Sequence, residues 1–245
     1  ILVFSKDLGS ALIFFVVYVL MVFVASRNFL YVIAGLLGGS GAAYIAYRVF
    51  THVQVRVQAW KDPWSVIDSA GYQITQSLFA ISSGGWFGLG LFKGRPDDIP
   101  FVEADFIFSA IAEELGILIA VCLILICVSC FVMFMNISSG ISDKFYQLTA
   151  FGLGVTYIFQ VFLTIGGGSK FIPLTGVTLP LVSYGGSSVL TTLIMFAIIE
   201  GLHIVKREEE EQKKREERKV RRKKKPVVIE MEEEDLPGDE IEEEE

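Results

Sequence analysis

An all-α polytopic membrane protein is the fold class this sequence predicts, and three observations predict it. Of the 245 residues, 52% are hydrophobic, and the mean hydropathy is +0.54, more apolar than a water-soluble domain of this size tolerates. Five stretches approach the roughly 20 apolar residues that cross a bilayer core. Charge is displaced to one end: the net charge is −7, and the segment from Lys206 onward alone holds 12 basic and 17 acidic side chains.

The first span is expected over about residues 8–25, opened by Asp7. The second covers 29–50, where Gly35, Gly38, Gly39 and Gly41 suit close helix contact. The third covers 106–135 and contains Cys122, Cys127 and Cys130; neither a disulfide framework nor a zinc spacing fits inside one apolar helix, so these are packing residues. The fourth covers 146–165 and the fifth 188–205. Residues 1–205 thus read as a membrane domain, and 206–245 as a charged tail, helical at first and then largely disordered. Acids interleave with the tail's bases, and no nucleic-acid partner is expected. The chain starts on Ile1 in an apolar run with no visible signal peptide, which reads as an N-terminally incomplete piece of a longer protein.

Lys206, Arg207 and the basic block 221–225 follow the last span, which predicts a cytoplasmic C-terminus. The loops 51–105 and 166–187 then lie outside. The first is too long to be a connector. Within it, residues 71–81 show helical apolar spacing with a polar face, as in an interfacial or re-entrant amphipathic helix. The glycines of the following stretch, Ser82 to Gly90, allow close approach of backbone to a ligand. The second loop is rich in glycine and small hydroxyls and carries Lys170, a composition that suits a phosphate-bearing ligand. Irregular backbone of this kind belongs around a polar cavity rather than against lipid, so Tyr184, Gly185, Gly186 and Ser187 are expected to line a cavity facing Asp105.

Asp105 is the last acid before the third span. A carboxylate at that junction is partly desolvated, which raises its pKa and suits it to accept a proton. The plainer alternative is that Asp105 is the N-cap of the helix. Glu113 and Glu114 lie about two turns further on; buried acids in a membrane helix are functional candidates, with helix-packing hydrogen bonds as the alternative.

The runs Gly71-Tyr72-Gln73, Gln76-Ser77, Ser83-Gly84-Gly85, Gly88-x-Gly90, Asp105-Phe106-Ile107-Phe108, Ala112-Glu113-Glu114-Leu115-Gly116, Pro173-Leu174-Thr175-Gly176 and Ser183 to Ser188, with Asp7-Leu8-Gly9-Ser10-Ala11-Leu12 before them, resemble the SEDS family of FtsW, RodA and SpoVE. The resemblance covers about residues 7–206 in the family's order. Two positions depart from the family's usual pattern: Glu103-Ala104 stands where His-Thr or His-Ser is common, and Thr164-Ile165-Gly166 where Asn-Ile-Gly is common. Family members typically have ten spanning helices, so the resemblance implies the C-terminal half of that fold.

It further implies a multi-pass protein of the bacterial cytoplasmic membrane that polymerises lipid II into glycan strands for division or cell shape. The implied partners are lipid II and the growing glycan strand, a class B penicillin-binding protein as transpeptidase, and division or elongation proteins. Asp105 matches the family's catalytic carboxylate. Gln76, Ser83, Gly84, Gly85, Thr175 and the run Ser183, Tyr184, Gly185, Gly186, Ser187 and Ser188 are the expected substrate-binding set. Lys93, Arg95, Lys170 and Arg56 are candidates for the pyrophosphate, and Glu103, Glu113 and Glu114 are supporting acids. A divalent cation, Mg or Mn, could share the charge through Asp97, Asp98 or Glu103, although no ligand spacing marks a metal site. Transfer with inversion needs a single base and no protein nucleophile. Two readings compete with the enzyme, a lipid II flippase and a non-catalytic division scaffold. A flippase should carry ionisable residues through the bilayer midplane, whereas the central turns of the first, second and fourth spans carry none.

Overall fold

The computed structural model describes residues 7–224. Among these the chain is helical throughout its regular structure: α1 Leu8–Ser26, α2 Leu30–Val49, α3 Thr51–Lys61, α4 Tyr72–Gly84, α5 Ile107–Gly140, α6 Lys144–Gly168 and α7 Gly186–Lys224, with short 3-10 turns at Trp64–Val66 and Pro96–Asp98. Five of these helices, α1, α2, α5, α6 and α7, are long and apolar enough to cross a membrane, and the chain is a polytopic membrane protein.

The local chemistry explains the boundaries. Asp7 caps α1 by accepting from the Ser10 amide at 3.0 Å, and Arg27 ends it in a left-handed conformation. Asp143 caps α6 through the Phe145 and Tyr146 amides; such caps stabilise a helix by about 1 kcal/mol. α3 is an addition to the sequence reading, which left 51–61 inside a loop. α7 starts at Gly186, two residues earlier than expected, and continues past Val205. The stretch from Glu208 forms a separate compact unit, in which Arg215 and Glu211 pair at 3.7 Å across one exposed turn. The expected disorder of the tail falls mostly on residues 225–245, outside the described residues.

α5 packs on α6 and on α4, and α1 packs on α6 and α2. The core joins α5, α6 and α7 around three rings: Phe134 lies 5.5 Å from Tyr157 and 5.2 Å from Phe196, with Tyr157 and Phe196 5.7 Å apart, all edge-on. Cys127 belongs to this core, in keeping with a packing role. α2 has no buried residue. Val19 and Phe15 of α1 rest on its Gly35 and Gly39, while Leu36, Leu37 and Ile45 are exposed.

α5 is interrupted. Gly116 has φ 85 and ψ 167, and the helix breaks there. The backbone groups released by the break pair with the glycine stretch after α4. Leu89 and Gly90 donate to the Glu113 and Glu114 carbonyls, both at 2.9 Å, and Ile117 and Leu118 donate to the Gly85 and Trp86 carbonyls at 3.0 and 3.4 Å. A Cβ at Gly84 would collide with the Ala112 carbonyl, one at Gly88 with the Glu114 carbonyl, and one at Gly116 with the Gly88 amide. The close backbone approach that the glycines predict is therefore made to α5. This arrangement satisfies backbone groups that a membrane would leave without partners.

Beneath this joint, three helices meet at a buried hydroxyl pair. Ser77 of α4 donates to the Gly168 carbonyl of α6 at 2.7 Å, and Ser109 of α5 lies 2.6 Å from the Ser77 oxygen. Both serines are fully buried. Ser77→Ala strands the Gly168 carbonyl and the Ser109 hydroxyl, and a buried unsatisfied group costs about 1–3 kcal/mol. We expect this variant to unfold at a lower temperature in detergent, whereas Ser65→Ala, whose hydroxyl bonds one turn back at the exposed Asp62 carbonyl, should unfold with the wild type.

Candidate functional site

The two long loops converge at one end of the bundle. The Tyr184 amide donates to the Glu103 carbonyl at 2.8 Å, and the Ser183 hydroxyl donates to the Ala104 carbonyl while accepting from the Leu179 amide at 2.8 Å. The second loop is also tied to α6: Thr164 donates to the Val177 carbonyl at 2.8 Å and Gln160 to the Thr178 carbonyl at 3.0 Å. Thr178 meets Ser188 at 2.7 Å. Both positions that depart from the family pattern, Ala104 and Thr164, thus hold the loops together. Gly9 of α1 abuts the Thr175 carbonyl and Val177 side chain, which explains a glycine in that N-terminal motif.

Asp105 sits in the turn that precedes α5. It does not cap the helix: the N-cap position is Phe106, without any side-chain cap bond, and this corrects the plainer reading. The Asp105 amide closes the turn onto the Phe101 carbonyl at 3.1 Å. Phe106 is buried against Ala80 and Ile99, so the anchoring falls to the ring and leaves the carboxylate half-buried. Among the described residues no donor bonds to it. Burial pushes the Asp105 carboxyl above the ordinary aspartate range, and the Arg56 guanidinium pulls it part of the way back.

Arg56 reaches this spot from α3. Its Nη1 donates to the Leu174 and Thr175 carbonyls at 3.3 and 3.1 Å, while the Trp60 indole of the same helix donates to the Lys170 carbonyl at 3.1 Å. α3 therefore fastens the second loop at two points. Gly176 is exposed with φ +76, and the position of a Cβ there would be 3.8 Å from Arg56 Nη2 and 3.9 Å from Asp105 Oδ2. A cation and a carboxylate thus flank one open backbone position. The adjacent Thr175 hydroxyl is buried without a partner.

The other expected site residues divide between two grooves. A groove of about 490 Å³ is lined by Ser183, Tyr184, Gly185 and Gly186, with Glu103 and Ile107 from either side of Asp105. Asp105 and Ser187 do not line it. A second, about 300 Å³, takes Gln76, Ser83, Lys93, Arg95, Asp98 and Glu113. Lys93 and Arg95 thus gather beside two carboxylates, and of the four cation candidates Arg56 is the one that acts on Asp105. Lys170 lines neither groove; its carbonyl is the group in use. Gly84 is packed against α5, and Gly85 supplies a carbonyl to the break in α5. Glu113 and Glu114 hold the loop between them: Glu113 Oε1 accepts from the Arg95 amide at 3.1 Å and Glu114 Oε1 from the Phe92 amide at 3.0 Å. Glu103 and Asp98 line different grooves, and among the described residues no three His, Cys, Asp or Glu side chains converge as a metal site requires.

Sequence reasoning had Gly9, Gly116 and Gly176 only as members of motifs, and missed the contact at Gly9, the break at Gly116 and the place of Gly176 between Arg56 and Asp105. Gly88 and Gly116 meet in one contact, a pairing that neither motif discloses by itself.

Comparisons with known proteins bear on the family and the fold. The family described as cell cycle protein, FtsW/RodA/SpoVE, matches residues 1–208. A peptidoglycan glycosyltransferase RodA of Mycobacterium bovis is 40% identical over 199 residues, covering 81% of this chain and 42% of its own. A probable peptidoglycan glycosyltransferase FtsW of Aliivibrio salmonicida is 35% identical, covering 77% of this chain and 48% of its own. The chain therefore spans less than half the length of these relatives. A chain from a structure described as "Structural coordination of polymerization and crosslinking by a peptidoglycan synthase complex" superposes with a TM-score of 0.69 at 26% identity, covering 84% of this chain and 58% of its own. By the length of the family match and by these identities, the chain belongs to the FtsW/RodA/SpoVE family.

Proposed function

We propose that this chain carries the catalytic centre of a peptidoglycan glycosyltransferase that polymerises lipid II into glycan strands. The observation that carries the reading is the Asp105 carboxylate, half-buried, without a hydrogen-bond donor among the described residues and opposite Arg56 across Gly176. Asp105 removes the proton from the attacking sugar hydroxyl. The bond from the donor's anomeric carbon to the pyrophosphate breaks as the new glycosidic bond forms, and the pyrophosphate leaves with the electron pair. Arg56 stands where it can offset that developing negative charge.

The C-terminal end of the membrane domain faces the cytoplasm and the Asp105 end faces outward, an orientation supported by Lys206 and Arg207. Lys206 bonds Asn136 of α5, at the end of the bundle away from Asp105. The transpeptidase partner is a class B penicillin-binding protein, a reading supported by the complex named in the solved structure. Transport of lipid II has less support, because Glu113 and Glu114 bond the loop backbone.

The test uses the pH profile of lipid II polymerisation by the whole protein with its partner. Asp105 must be ionised to act, so activity falls as pH drops through its raised pKa. Arg56→Gln removes the charge that lowers that pKa, and the acid limb should move to higher pH; Arg56→Lys should largely restore it. An acid limb at the wild-type position in active Arg56→Gln would contradict Asp105 as the base.

A further inference from the structure

The loop that follows α4 carries an apolar surface that the fold leaves uncovered. Its backbone is well bonded between Trp86 and Phe92. The Gly88 amide donates to the Gly84 carbonyl at 2.8 Å, Leu89 and Gly90 donate to α5 carbonyls as described, and the Phe92 amide donates to Glu114 Oε1 at 3.0 Å. The large side chains are left outside. Phe87 is 84% exposed and Phe92 94%, with Trp86 and Leu91 exposed beside them. None of these four belongs to a core cluster among the described residues. Phe92 has φ 61, a left-handed conformation that is an outlier for a bulky residue, and the bond to Glu114 holds it there. An ordered loop that displays four large apolar side chains is a contact surface.

We propose that Trp86, Phe87, Leu91 and Phe92 form a wedge seated in the lipid leaflet on the Asp105 side of the membrane, with the rings at the boundary between headgroups and acyl chains. The level of the loop points to lipid. The Ile117 and Leu118 amides bond the Gly85 and Trp86 carbonyls, so the rings begin where the part of α5 after its break begins, a part long enough to cross the hydrocarbon core by itself. It opens with Leu118, Ile119 and Val121, all exposed, in the most apolar of the five candidate spans. The loop thus continues an exposed apolar helix surface at its end, the depth at which tryptophan gathers in membranes. Lys93 and Arg95 follow directly and are exposed; their long stems keep charge at the headgroups while the rings reach deeper. An amphipathic arrangement of this kind binds the interface plane through its buried apolar area. The wedge does not depend on the reaction at Asp105.

The test asks what touches the rings. Benzoylphenylalanine, which inserts into neighbouring C–H bonds on illumination, replaces Phe87, Phe92 or, as a control, the exposed Asp97 of the charged turn Pro96–Asp98. The whole protein is reconstituted with its transpeptidase in vesicles of phosphatidylethanolamine and phosphatidylglycerol, illuminated, and analysed by mass spectrometry. Phospholipid adducts are expected at Phe87 and at Phe92, with loss of the adduct at Asp97. Both rings are exposed, so the label has no packed core to disturb, and each position reports by itself should the other variant accumulate poorly. Cross-links from these positions to the transpeptidase in place of lipid would overturn the wedge and give the surface to a protein partner. Labelled protein recovered from the vesicles without any adduct would overturn it too, by leaving the rings in water. Equal lipid adduct at Asp97 would also overturn it, since lipid would then reach the loop without regard to its rings.

Discussion

Asp105→Asn should abolish glycan polymerisation while the protein stays folded. The amide has almost the shape of the carboxylate and cannot take the sugar proton, and loss of a general base costs about 10²-fold or more in rate. Two features make the substitution clean. The Asp105 side chain does not cap α5, and among the described residues no donor bonds to it, so no hydrogen bond is lost. Burial, which raises its pKa, works against the charged form, so the neutral amide should be at least as stable as the wild type. The measurement is product from lipid II on gels, using the full-length protein with its transpeptidase, alongside thermal unfolding. Asp105→Asn with near wild-type product would remove Asp105 from the chemistry. An inactive variant with a lowered unfolding temperature would assign Asp105 a structural role instead.

The second large effect is expected at Gly116. Its backbone, with φ 85 and ψ 167, occupies a region essentially reserved for glycine, where another residue costs about 1–3 kcal/mol. A Cβ there also collides with the Gly88 amide and the Trp86 carbonyl, main-chain atoms that cannot swing aside, and overpacking adds about 1–3 kcal/mol. Gly116→Ala should therefore lose on the order of 3 kcal/mol or more, seen as failed accumulation or a much lower unfolding temperature. Gly38→Ala is the control: its Cβ meets nothing within 4 Å, and alanine favours a helix by about 1 kcal/mol. Equal stability of the two variants would contradict the broken helix.

The contrast between these glycines shows what the sequence could and could not disclose. The five spans were legible because an apolar run of bilayer length has few other uses, and α4 was legible from its polar face. α3 was not: Thr51 to Lys61 mixes polar and β-branched residues without a clear apolar face, and what fixes it is tertiary, namely Arg56 and Trp60 on the second loop. The break at Gly116 was hidden by the apolar residues on its far side, which continue the run as if uninterrupted. Asp105 was legible by its position at the junction and by the motif around it. The partition of Lys93 and Arg95 into one groove and Arg56 into the neighbourhood of Asp105 was not, since it depends on which backbone groups the glycine loop meets.

The break at Gly116 also divides α5 mechanically. Its 34 residues would measure about 50 Å as one rod, far more than the roughly 30 Å of a hydrocarbon core. The part from Ile117 onward is long enough to span alone, at about 36 Å. The loop after α4 is bonded to both sides of the break, to the Glu113 and Glu114 carbonyls before it and to the Ile117 and Leu118 amides after it. A spanning helix adjusts its tilt to the thickness of its bilayer, and an unbroken rod would carry the Asp105 turn with every adjustment. At Gly116 the loop and both parts of the helix are fastened as one joint, so the Asp105 turn is braced against the loop rather than carried on the end of a single long rod.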